Sequence, residues 1–121
     1  MQKTSFDPWV WGKNTNSVQA VEVKQPTGTL YCSGQEAIPG SSDMRSQLIQ
    51  TIANLEHLIN ESGYECSGIV RLNVYTTSTH EFFTNCMDVY VPFIQKHGIQ
   101  QATSLLEVKG LQRLLFHFLN H

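Results

Sequence analysis

The chain's 121 residues, 40% hydrophobic and 15% charged, have the balance of one globular domain and are too few to build a second core. Eight Lys and Arg against ten Asp and Glu leave a formal charge of -2, so the basic footprint that a phosphate backbone requires is missing and nucleic acid is disfavoured as a partner. No window approaches the roughly 20 apolar residues of a membrane span, and MQKTSFDPWVWGKN lacks the apolar run of a secretory signal; the expectation is a cytoplasmic protein with no membrane contact.

Residues 1–15 read as irregular. SVQAVEV, residues 17–23, carries Val18, Ala20 and Val21 in a short apolar run suited to a first strand, and QPTG, residues 25–28, is turn chemistry. TLYCSG then reads as a second strand, completing a hairpin. Pro39, Gly40, Ser41 and Ser42 form a loop with a serine placed to cap the next helix. In DMRSQLIQTIANLEHLINESG, Met44, Leu48, Ile52, Leu55 and Ile59 recur at three or four residues, the spacing of one buried helix face, and Gly63 stands where the helix should end.

GIVRLNVYTT, residues 68–77, predicts a strand with Val70, Leu72 and Val74 on one face and Arg71, Asn73 and Tyr75 on the other. Ser78 or Thr79 can cap a second helix through HEFFTNCMDVYVPFIQKHG, with Phe82, Phe83, Cys86, Met87, Val89, Tyr90, Phe93 and Ile94 as its apolar surface and Pro92 as a point of kinking. SLLEV, residues 104–108, and LLFHFL, residues 114–119, read as two more strands. The order predicts an α+β fold, a single domain over residues 1–121, with two helices on one face of a mixed sheet. The other face has no helix left to cover it, so self-association into a symmetric oligomer is expected, with Arg71, Asn73 and Tyr75 near the contact. A monomer with a solvated polar face is the alternative.

Cys32, Cys66 and Cys86 are odd in number and form no CxxC pair, which suits reduced, buried thiols better than a disulfide frame or zinc knuckle. His57, His80, His97, His117 and His121 are dispersed, without HxH or HExxH spacing, so no metal site is predicted. LYCSGQE, residues 30–36, packs aromatic, thiol, hydroxyl, glycine and amide groups together and reads as a strand end, a ligand-facing lip, or both. Gly34 there permits a close backbone approach, while Gln35 is assigned to satisfying the turn's own backbone.

Five stretches, TLYCSGQ, NLEHLINESG, IVRLNVYTT, DVYVPF and QATSLLEV, together resemble the Rid family of reactive intermediate deaminases, also called YjgF or L-PSP proteins. The resemblance spans residues 17–111 and implies a chorismate-mutase-like α+β fold assembled as a homotrimer, with a cleft between neighbouring subunits. It further implies hydrolysis of enamines and imines to 2-keto acids and ammonia, without metal or organic cofactor. In that chemistry an arginine grips the substrate carboxylate and a C-terminal glutamate positions water.

The resemblance places Ser33 and Gly34 at the cleft as ligand-binding residues. It also brings out departures. Thr103 stands at the arginine position, Ser17 at a tyrosine position and Met87 at an asparagine position, and the C-terminal GLQRLLFHFLNH replaces a strand bearing two glutamates, aligning His117 with the water-positioning one. Thr103 and Ser17 are therefore read as altered ligand-binding positions and His117 as the candidate base, its unperturbed pKa of about 6.5 suiting that role. A lone His in an apolar strand is more often a polar tip at a sheet edge, and that reading of His117 is the stronger. The resulting expectation is a small-metabolite-binding protein with weak or absent deaminase activity. The rivals are an active deaminase that uses Arg71, Lys109 or Arg113 as its cation, and an L-PSP-type endoribonuclease or translation inhibitor. Expected partners are further copies of the chain and a small carboxylate or imine metabolite.

Overall fold

The computed structural model describes residues 2–9, 11–12, 15–25, 27–35 and 43–110. The apolar period from Met44 forms helix α1, Met44–Glu61. Met44, Leu48, Ile52, Leu55 and Ile59 all turn toward one apolar cluster, with Ile59 5% exposed. The cap is Asp43, whose carboxylate accepts the Ser46 N–H at 2.6 Å. The expected serine cap is thereby corrected: the aspartate stands immediately before the first helical residue and meets the orphan donors itself. At the other end Ser62 is the C-cap and Gly63 adopts a φ of +81°, the left-handed conformation that closes a helix at low steric cost.

After a short 3₁₀ turn, Cys66–Gly68, strand β3 covers Arg71–Thr76. Leu72 and Val74 pack on the apolar cluster, as their alternation predicts, and the Arg71 guanidinium donates on the opposite face to Ser104 Oγ at 2.7 Å. The next helical stretch is not one kinked helix but two, α2 (Thr79–Asn85) and α3 (Met87–Lys96), parted at Cys86. Thr84, Asn85 and Cys86 are all weak helix formers. The Cys86 N–H still closes onto Phe82 O, but its carbonyl receives Val89 and Tyr90 as the first bonds of a new helix. Pro92 lies exposed inside α3, where it removes a single donor. Ser78 caps α2 through the Glu81 N–H at 3.1 Å.

Strand β4, Ala102–Glu107, runs parallel to β3 with Leu72 opposite Thr103 and Val74 opposite Leu105. A parallel pair needs a long crossover, and α2 with α3 supplies it. Glu107 at the end of β4 accepts the Thr79 N–H at 2.8 Å and the Thr79 hydroxyl at 3.1 Å, tying the strand to the start of α2. The core is a continuous cluster of Ile59, Phe82, Cys86, Tyr90, Phe93, Ile94 and Ile99, with Leu72, Val74 and Leu105 of the strands packed against it. Phe83, assigned to the apolar helix surface, is instead 57% exposed.

The N-terminal third departs most from expectation. Residues 1–15 are not irregular throughout: Gln2–Phe6 is strand β1, paired antiparallel with β2, Ala20–Lys24. β2 does not form a hairpin with TLYCSG, because that segment, residues 29–34, holds no strand. Leu30 and Cys32 nonetheless pack against the core, while Tyr31 is 86% exposed. The described residues thus carry two two-stranded sheets, one antiparallel and one parallel, rather than one mixed sheet. The fold is α+β. The strand expected over residues 114–119 lies outside the described residues.

Candidate functional site at the start of β4

Gln101, just before β4, and Thr103, its second residue, lie at the strand's entrance beside the loop that leads into β2. The Val18 N–H donates to Gln101 O at 3.1 Å and Gln101 Nε2 to Thr15 O at 3.4 Å, while Ser5 Oγ donates to Gln100 Oε1 at 3.1 Å. These bonds bring Ser17, half-buried, beside the start of β4. Local geometry holds it there. The carbonyl of Gly12 accepts the N–H groups of Thr15 and Ser17, both at 3.0 Å, and a Cβ on Gly12 would come within 2.5 Å of the Ser17 Cβ. Only glycine fits that approach. Asn16, at a φ of 56°, supplies the left-handed residue the turn requires, a conformation asparagine tolerates.

Strand parity sets the direction of Thr103. It shares a face with Leu105 and, through the register, with Leu72 and Val74, and is therefore directed to the helical layer. Tyr90 of α3, 6% exposed, meets it there. Burial pushes the Tyr90 phenol above its ordinary pKa, and the neighbouring Gln101 and Thr103 side chains partly offset this by favouring the phenolate. Thr103 Oγ1 and Gln101 Oε1 are themselves buried without a partner in hydrogen-bonding geometry. Three polar groups therefore converge beneath the surface without closing a network. Met87, one helical turn before Tyr90 on the same stripe, is half-buried.

Ser33 and Gly34 are not brought to this cluster by any described hydrogen bond. Ser33 is exposed and its carbonyl accepts Gln35 Nε2 at 3.3 Å, the backbone role expected of Gln35. Gly28, at the start of this segment, lies against Tyr64, where a Cβ would stand 2.5 Å from the hydroxyl. His117 lies outside the described residues. The described hydrogen bonds thus bring the loop that carries Ser17 to Gln101, two residues before Thr103, and tie neither Ser33 nor Gly34 to that juncture.

Sequence reasoning passed over three features. Gln101 and Tyr90 are the buried polar neighbours of Thr103; the signal was an amide at the head of a strand and a hydroxyl on an apolar helix stripe. The third is an ion cluster in which His97 Nε2 and Lys96 Nζ meet Glu56 Oε2 at 2.6 and 3.3 Å. The His97 hydrogen bond, more than Lys96, lowers the Glu56 pKa against the opposing effect of burial. A groove of about 480 Å³ runs from Asp43, Met44 and Arg45 to Asn85, Met87 and Asp88, and the Arg45–Asp88 ion pair at 2.8 Å lies along it. It reaches Met87 without including Thr103.

Among the described residues no group of three His, Cys, Asp or Glu side chains is arranged to hold a metal, and no helix is long and apolar enough to cross a membrane. The three cysteines are free thiols; Cys66 and Cys86 are buried, Cys32 half-buried, and burial raises the pKa of each.

Comparison with known proteins agrees with this architecture. The crystal structure of YyfB from Yersinia pestis, described as a protein of unknown function of the conserved Rid protein family, superposes with a TM-score of 0.72 at 24% identity, covering 97% of this chain and 92% of that one. No curated protein matches the chain. The family model described as Endoribonuclease L-PSP matches residues 14–116, a span that holds β2, all three helices, the β3–β4 pair and the Ser17–Thr103 juncture, and on that match the chain belongs to the Rid (YjgF/L-PSP) family.

Proposed function

We propose that the chain is a homotrimeric, cytoplasmic protein that binds a small metabolite in a cleft between subunits at Ser17 and Thr103, with Ser33 and Gly34 at its lip. Its enamine or imine deaminase activity is weak or absent. The observation that carries this reading is Thr103, where the resemblance implies an arginine, with its hydroxyl turned inward to Tyr90. A substrate carboxylate there forgoes two charge-assisted hydrogen bonds, each worth about 1.5–3 kcal/mol. The rival in which another cation takes over gains no support from Arg71, which bonds Ser104 on the opposite face of β4. Lys109 is exposed beyond the strand, and Arg113 lies outside the described residues.

The test is a coupled assay that generates the imino acid of serine or threonine in place. Native protein, Thr103→Arg and Thr103→Arg with His117→Glu are compared with an arginine-bearing relative. Native turnover should fall at least about a hundredfold below the relative, the rate equivalent of losing both bonds at the lower end of that range. Thr103→Arg alone should restore only part of it, since catalytic groups that act together are not additive. Native turnover equal to the relative's refutes the reading and favours the active deaminase.

A further inference from the structure

We infer that the Thr103 wall takes an uncharged, alkyl-bearing carbonyl or imine compound in place of a carboxylate-bearing one. The inference rests on the proposed cleft at this position and names the class of ligand it holds.

Thr103 is half-buried as a residue, yet its Oγ1 is buried. The side chain contains only Cβ, Oγ1 and Cγ2, so whatever part of it meets a ligand is hydrocarbon. The inward turn is set by strand parity, which places Thr103 with Leu72 and Leu105 against the core, and Tyr90 of α3 meets the hydroxyl there. Met87 continues the apolar character one turn along α3.

Among the described residues no arginine is turned to that wall. The described arginines are engaged elsewhere, Arg45 with Asp88 at 2.8 Å and Arg71 with Ser104 at 2.7 Å on the opposite sheet face, and Lys96 pairs with Glu56 at 3.3 Å. A carboxylate pressed against the hydrocarbon of Thr103 gives up water there without gaining a counter-charge from any described arginine, which is unfavourable. An alkyl group in the same place gains by leaving water.

Pyruvate and butan-2-one share a methyl ketone and differ in carboxylate against ethyl, which makes them matched probes. Each is titrated into the full chain while the Thr103 and Met87 methyl resonances and the Ser17 amide are followed. Butan-2-one should shift all three and bind about tenfold more tightly than pyruvate, a difference of about 1.4 kcal/mol. Thr103→Val exchanges only the inward hydroxyl for a methyl and should keep that order of preference, whereas Thr103→Arg should invert it. Equal or tighter binding of pyruvate by the native chain overturns the inference and leaves the cleft standing, as does a Thr103→Val chain that loses the preference. Failure of both probes to move any of the three resonances overturns the cleft and the inference together. The native titration decides the matter even where a variant fails to fold.

Discussion

The backbone N–H of Val18 donates to the carbonyl of Gln101 at 3.1 Å, joining the entrance of β2 to the entrance of β4 across most of the sequence. Gln101 is fully buried, and its side chain reaches on to the Thr15 carbonyl. One residue thus fixes the loop that carries Ser17 to the strand that carries Thr103.

Gly12→Ala should disturb that juncture from a distance. The added Cβ would lie 2.5 Å from the Ser17 Cβ and 2.6 Å from its carbonyl oxygen, and the second contact is backbone that cannot rotate away. We expect a loss of about 1–3 kcal/mol, the range for overpacking, read by urea denaturation, with the Ser17 amide resonance displaced. An unchanged midpoint and spectrum would show that the turn yields freely.

Ile59→Ala removes the most buried apolar side chain of α1 from the cluster that includes Tyr90 and Phe93. The expected cost is about 2–5 kcal/mol. Leu55→Ala should cost less, because Leu55 is only half-buried. Denaturation of both variants gives the comparison, and a larger loss at Leu55 would contradict the order of burial along that face.

The Glu56 cluster makes stability depend on pH in one direction. The folded carboxyl titrates below its ordinary value of 4.5, chiefly because His97 hydrogen-bonds to it. Its stabilising contribution is therefore present above the unfolded pKa and disappears as pH falls through the lower folded one. Glu56→Gln should be less stable than the native chain at neutral pH and approach it under acid, as measured by thermal melts across that range. A constant difference at all pH values would remove the ion cluster as its cause.

The proposed trimer is checked by light scattering at micromolar concentration, where the mass should be about three times 13.7 kDa. A mass of one chain at every concentration would dismantle the intersubunit cleft along with the trimer.

The legible parts of the sequence were those with an apolar period. Met44 to Ile59 and the Leu72–Val74 alternation announce α1 and β3 because burial and spacing coincide there. β1 escaped notice because its half-buried positions are Lys3 and Ser5, which carry no hydrophobic signal. TLYCSG misled in the opposite sense: Leu30 and Cys32 turn inward and Tyr31 outward, as in a strand, yet alternation reports only which side is buried and not whether a ladder partner exists. At the site, the residue type at position 103 was readable. The inward direction of its hydroxyl depends on register with β3 and on Tyr90 from α3, neither of which local sequence specifies.

The β1–β2 hairpin has a kinetic consequence. Its hydrogen bonds to the rest of the described chain meet β4's entrance at Gln100 and Gln101, whereas β3 and β4 pair in the parallel sheet and pack on the apolar cluster. Amide exchange should therefore be faster in β1 and β2 than in β3 and β4, the mark of a local opening that leaves the core intact.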